Sequence, residues 1–155
     1  MSRATNIVNL ETADGLVDKR LGPSGPFEIT AAKIVDFANA TDDFQGIHVD
    51  KTVAQAAGFE DTIAHGYLVL SLLSQFAYQL IEFSSKGPII NYGLDRVRFL
   101  KPVLAGAKLV AFAKIKEIKP KNDMFIITTE YELQDQDART VLVATSLIAV
   151  ALDDS

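Results

Sequence analysis

Gly66-Tyr67-Leu68-Val69-Leu70-Ser71-Leu72-Leu73-Ser74-Gln75-Phe76-Ala77-Tyr78-Gln79-Leu80-Ile81-Glu82-Phe83 decides the fold. Its apolar residues cover most of a helical circumference. Only Ser71, Gln75, Gln79 and Glu82, with Ser74 beside them, form a polar stripe at near-helical spacing. A helix that is apolar on most sides is buried on most sides, so other parts of the chain must wrap it. Four long strand-like runs follow and can do so: Ile89 to Leu100, Lys108 to Ile118, Met124 to Leu133 and Val141 to Leu152. Phe125, Ile127, Thr129, Tyr131 and Leu133 alternate with Ile126, Thr128, Glu130 and Glu132 at a period of two. Ser84 to Pro88, Lys101-Pro102, Ala105-Gly106, Lys119 to Asp123 and Gln134 to Arg139 fall where turns should lie. Consecutive strands on short connections make an antiparallel sheet. The predicted class is therefore α+β, with one long central helix wrapped by a curved antiparallel sheet.

Upstream, Gly22-Pro23-Ser24-Gly25-Pro26 is the strongest breaker in the chain. Phe27 to Ile29 alternates like a short strand, and Thr30 reads as the N-cap of a helix over Ala31 to Asn39 with Ile34, Phe37 and Ala38 on one face. Residues 1 to about 20 read as one or two short helical pieces, and residues 1–25 as an N-terminal extension packing on a single domain over 1–155.

The chain has 155 residues, 48% of them apolar and 23% charged, which suits a globular domain with a real core. A net charge of −5 argues against a nucleic-acid partner, because phosphate neutralisation needs clustered Lys and Arg. With no cysteine, disulfides, thiolate metal sites and a Cys nucleophile are excluded. Met1 to Leu10 lacks the apolar core of a secretory signal, and no run reaches the roughly 18 apolar residues of a membrane span. The expectation is a cytoplasmic protein with no membrane partner, in which the sequon Asn39-Ala40-Thr41 is fortuitous.

Both histidines of the chain lie between Thr41 and Tyr67: His48, five residues after Asp43, and His65, next to Gly66. Histidine is the side chain whose ordinary pKa suits proton transfer near neutrality. Taken alone, Asp43 and His48 read first as a turn-capping carboxylate and a satisfied structural histidine.

The full string changes that reading. Phe37-Ala38-Asn39-Ala40-Thr41-Asp42-Asp43-Phe44-Gln45-Gly46-Ile47-His48-Val49-Asp50, followed by Ile63-Ala64-His65-Gly66-Tyr67-Leu68, closely resembles the MaoC-like, (R)-specific enoyl-CoA hydratase (hydratase 2) family. That family's signature is an aromatic residue, a spacer, Asp-x-Asn-Pro-x-His, and an Ala/Val-His-Gly step into the central helix. Asn91 to Phe99 and Lys101-Pro102-Val103 resemble its NodN-like branch in particular. The likeness covers about Ile29 to Val103 by motif and the later strands by pattern.

The resemblance implies a hot dog fold, usually dimeric, and reversible addition of water to a trans-2-enoyl-CoA to give an (R)-3-hydroxyacyl-CoA. It implies Asp43 and His48 as the catalytic pair, Gly66 as a backbone oxyanion donor, and Ser74 as a serine reaching from the helix toward that pair. A hydroxyl bonding back to its own helix is the plain alternative for Ser74. It places His65 as a support that shapes the turn before the helix. Acyl-CoA is the implied substrate and a second copy the implied partner, with no metal and no cofactor beyond the substrate's own coenzyme A. Arg96, Arg98 and Lys101 could meet coenzyme A phosphates from one strand face, although a solvated sheet face explains them as simply.

The chain departs from the signature where Gln45-Gly46 replaces Asn-Pro. Gln45 keeps an amide, while Gly46 removes a fixed φ and a bulky wall, predicting a looser loop or a wider pocket. Two rival readings share the fold or the ligand: an acyl-CoA thioesterase, and a non-catalytic acyl-CoA-binding or signalling module. No Gly-x-Ser-x-Gly, His-Glu-x-x-His, P-loop or dinucleotide fingerprint is present.

Overall fold

The computed structural model describes residues 6–10, 15–85 and 87–151. In chain order the elements are β1 (Asn6–Val8), β2 (Phe27–Glu28), α1 (Ala31–Thr41), α2 (Gly46–Val49), α3 (Lys51–Ala56), α4 (Gly66–Ser71) and α5 (Leu73–Leu80). They continue with β3 (Ile81–Phe83), β4 (Ile89–Phe99), β5 (Lys108–Lys121), β6 (Met124–Gln134) and β7 (Thr140–Ala151). One sheet has the order β2-β5-β6-β7-β4, with every pairing antiparallel.

The helix sits on this sheet as its composition requires. Leu68, Val69, Leu72, Leu73, Phe76 and Leu80 are buried in one cluster with Leu109, Ile115, Ile127, Leu133 and Leu142 from the strands. At Leu72 the rod tightens for one residue: the Leu72 N–H bonds the Val69 carbonyl at 3.3 Å, and the Phe76 N–H restores the helical spacing onto Leu72 at 3.0 Å.

Four differences from expectation have local causes. The helix stops at Leu80 rather than Phe83, because Ile81–Phe83 turns extended and pairs in parallel with Asn6–Val8. The Asn6 side-chain amide then caps the Leu80 carbonyl at 2.9 Å. The same pairing makes residues 6–8 a strand and not part of a helical piece, while residues 1–5 and 11–14 lie outside the described residues. β5 runs to Lys121 through the expected turn, because Asn122 takes a left-handed φ of 53° that lets Asn122-Asp123 close the hairpin alone. Finally, the helix's exposed stripe runs along Tyr67, Ser71, Ser74 and Tyr78, while the Gln79 side chain turns back to accept the Gly25 N–H at 2.9 Å.

Elsewhere the elements form as their residues dictate. Thr30 caps α1 by accepting the Lys33 N–H at 3.2 Å, with Ile34 and Ala38 buried beneath. The Gly22 to Pro26 breaker lies along β5, not in a free loop. The N–H groups of Asp18, Leu21 and Ser24 bond the carbonyls of Ile115, Ala113 and Ala111 at 2.8 to 2.9 Å, and β2 continues the line to Leu109. One edge of the five-stranded sheet is thus covered. The other edge, β4, pairs among the described residues with β7 alone and exposes Ile90, Tyr92, Leu94 and Phe99.

Candidate active site

The segment between α1 and α4 is short of regular structure but well anchored. Gly46–Val49 makes a single helical turn that carries His48, and Asp50 caps α3 by accepting the N–H groups of Thr52 and Val53 at 2.8 and 3.2 Å. The Ile63 N–H bonds the Ile47 carbonyl at 3.1 Å, and the Ala64 N–H bonds the Val103 carbonyl at 2.7 Å. These bonds tie the His48 turn to the chain that leads into Gly66 and to the loop after β4.

His48 is buried, and its Nδ1 lies 2.7 Å from the Ile63 carbonyl oxygen. A carbonyl can only accept, so Nδ1 carries the hydrogen and Nε2 is the nitrogen left for chemistry. His65 is assigned the same way: its Nε2 lies 2.9 Å from the Asp43 carbonyl and donates to it. The other nitrogen of His65, Nδ1, is buried with no hydrogen-bond partner among the described residues. The two imidazoles stack with centroids 3.8 Å apart and planes 26° apart, and the Phe37 ring meets His65 at a 49° tilt with centroids 5.0 Å apart. The motif's aromatic residue therefore packs on His65, which in turn stacks on His48.

Asp43 is exposed, and its carboxylate approaches the Gln45 N–H at 3.4 Å. One ligand atom from each of Asp43, His48 and His65 falls within 4.8 Å of the others. Of the four ring nitrogens, His48 Nδ1 and His65 Nε2 are committed to backbone carbonyls, which leaves one nitrogen on each ring as an acceptor or ligand.

Gly66 and His48 line one cavity of about 340 Å³, together with Ile63, Val69, Phe99, Lys101 and Val103. The other expected residues are divided among different places. Ser74 lines two further cavities with Leu73, Asn91 and Ser146, one of about 80 Å³ and one of about 390 Å³. The hydroxyl that bonds back to its helix is instead that of Ser71, to Leu68 at 2.7 Å. Arg96 lines a cavity of about 560 Å³ with Arg20, Lys114 and Glu130, whereas Lys101 lines that of His48. Arg98 donates to the adjacent Val97 carbonyl at 2.7 Å. Arg96 and Lys101 thus border different cavities.

Gly46 does not open the pocket as its small size suggested. A Cβ there would lie 2.7 Å from Val53 Cγ1, so α3 fills the space. Two contributors escaped sequence reasoning: Val53 and the ring of Phe99, which lies against Gly66. For Phe99 the signal was present, an aromatic closing the Asn91 to Phe99 strand, but its contact comes from distant chain.

Residues 13–136 match the family described as "MaoC like domain". The chain belongs to the MaoC-like family. The 3-hydroxyacyl-thioester dehydratase Z of Mycobacterium tuberculosis is 32% identical over 146 residues, covering 92% of this chain and 94% of that protein. Nodulation protein N of Rhizobium meliloti is 35% identical over 140 residues, covering 86% and 87%. The solved structure of the (R)-hydratase from A. caviae superposes with a TM-score of 0.70 at 25% identity, over 85% of this chain and 94% of that one. The MaoC-like architecture here, a central helix on a curled antiparallel sheet, is the hot dog fold. The family and these relatives support a hydratase or dehydratase role. No helix among the described residues is long and apolar enough to cross a membrane.

Proposed function

We propose that this MaoC-like protein reversibly hydrates trans-2-enoyl-CoA to (R)-3-hydroxyacyl-CoA, with Asp43 and His48 as the reacting pair. The observation that carries this reading is the commitment of His48 Nδ1–H to the Ile63 carbonyl. It leaves Nε2 as the nitrogen of His48 free for chemistry at the cavity His48 lines with Gly66. Asp43 does not line that cavity, but a carboxylate oxygen of it lies within 4.8 Å of a ring nitrogen of His48. Hydration puts a water oxygen on the β carbon and a proton on the α carbon. One group must therefore take a proton from water and another must deliver one. Asp43 and His48 meet that requirement when one of them acts as base and the other as acid, and dehydration runs the same inventory backwards. The negative charge developing on the thioester oxygen needs a donor. The N–H groups that open a helix have no partner within it, which favours Gly66 at the start of α4.

Lys101, at the same cavity, is the basic residue best placed for a coenzyme A phosphate. The reading needs no cofactor beyond the coenzyme A of the substrate and no metal. A second copy of the chain fits the uncovered β4 edge, where an exposed, partly apolar strand is open to pairing. A cytoplasmic location agrees with coenzyme A chemistry. Spectrophotometric assay of crotonyl-CoA and longer enoyl-CoA thioesters tests the activity. Loss of enoyl absorbance supports it, free thiol release points instead to a thioesterase, and tight binding without turnover points to a binding module.

A further inference from the structure

We infer that Phe99 is a positioning residue for this reaction, the wall that holds the thioester against Gly66; this rests on Gly66 being the oxyanion donor. A Cβ built on Gly66 would lie 3.2 Å from Phe99 Cε1 and 3.3 Å from Cδ1 and Cζ. The ring therefore occupies the face of the Gly66 peptide that a side chain would otherwise cover. The missing Cβ makes room for Phe99 and not only for a ligand. Phe99 also lines the cavity that His48 lines, so one aromatic ring stands where a side chain on Gly66 would stand and borders the space beside His48.

The ring is held although it is half-exposed. Phe99 closes β4 in register with the fully buried Leu142, and the next N–H, that of Leu100, bonds the Val141 carbonyl at 2.8 Å. Tyr67, the residue after Gly66, meets it edge-on with centroids 6.2 Å apart. A ring packed against Gly66 makes the surroundings of its peptide less polar on that side, and a donor in less polar surroundings stabilises developing charge more strongly than a fully hydrated one. It also limits the approach of a thioester carbonyl to the remaining open side, and small displacements of a reacting group are costly in rate.

The test compares wild type, Phe99→Ala, Phe99→Leu and Phe99→Tyr in crotonyl-CoA hydration by the full chain, with melting temperature and light scattering recorded for each. Phe99→Ala is expected to lower kcat about tenfold or more while KM changes by less than about threefold. Phe99→Tyr, which keeps the ring, is expected to restore kcat to within about twofold of wild type, with Phe99→Leu between the two. Wild-type kcat and KM in folded Phe99→Ala, or in Phe99→Leu should the alanine variant not fold, overturn the inference and leave the hydratase reading standing. Recovery of kcat on raising the protein concentration also overturns it, since Phe99 would then act through assembly. A wild-type protein that hydrates no enoyl thioester overturns both.

Discussion

His65 lies flat against His48, ring centroids 3.8 Å apart, while its Nε2–H holds the backbone carbonyl of Asp43. One buried side chain thus touches both members of the proposed pair, one through its ring face and the other through its peptide. His65→Ala removes a packed ring and a buried hydrogen bond and is expected to destabilise the protein by about 2–4 kcal/mol. His65→Phe keeps the stack with Phe37 and His48 but leaves the Asp43 carbonyl without its donor. It should recover much of the melting temperature and little of the hydratase rate; equal recovery of both would reduce His65 to a packing residue.

Gly46 and Val53 form a second coupled pair. Gly46→Ala would press a methyl into Val53 Cγ1, and a β-branched side chain on a helix has little rotamer freedom with which to yield. The expected cost is about 1–3 kcal/mol in chemical denaturation. In a Val53→Ala background the same substitution should be neutral or stabilising, because alanine is the better helix former. An equal cost in both backgrounds would mean that the backbone, not Val53, demands glycine.

These two relationships mark the limit of what was legible in the sequence. The central helix, the four long strands and the Thr30 cap rest on local pattern, and the structure forms them with shifts at the helix end and at the β5–β6 turn. The strand at Ile81–Phe83 was not legible because its partner, Asn6–Val8, lies some 75 positions away and three residues cannot distinguish helical from extended periodicity. For the same reason a glycine at position 46 read as empty space: only the fold brings Val53 onto it. Nothing local marks Tyr67 and Tyr78 as exposed, since both are large rings on an apolar helix. Their exposure depends on which face the sheet leaves uncovered.

That uncovered side leads to a prediction about assembly. Ile90, Tyr92 and Leu94 expose large side chains on β4, and the opposite edge of the sheet is already occupied by residues 18–28. Light scattering should give the mass of a dimer for the wild type. Leu94→Lys should shift it toward the monomer, since charge on an edge opposes pairing. A wild-type monomer at assay concentrations would contradict pairing through this edge.

The turn before β7 should set part of the acid limit of stability. Burial pushes the Asp135 carboxyl up, but the Arg139 N–H, the Arg139 side chain and the Asp137 N–H outweigh it and hold the folded pKa below the ordinary carboxylate value. A lowered folded pKa contributes stability that is complete above the unfolded value of about 3.9 and is lost as pH falls toward the folded one. Asp135→Asn should therefore lower the melting temperature by a constant amount between pH 5 and 7, by about several degrees. The difference from wild type should shrink below about pH 4. A difference that persists unchanged into strong acid would assign the loss to packing.

The most direct test of a reacting Asp43–His48 pair is the initial rate of enoyl-CoA hydration by wild type, Asp43→Asn and His48→Gln, each checked for its fold by circular dichroism. The expected result is turnover by the wild type and a loss of at least about a hundredfold in each folded variant. Hydration at the wild-type rate in either variant would contradict it.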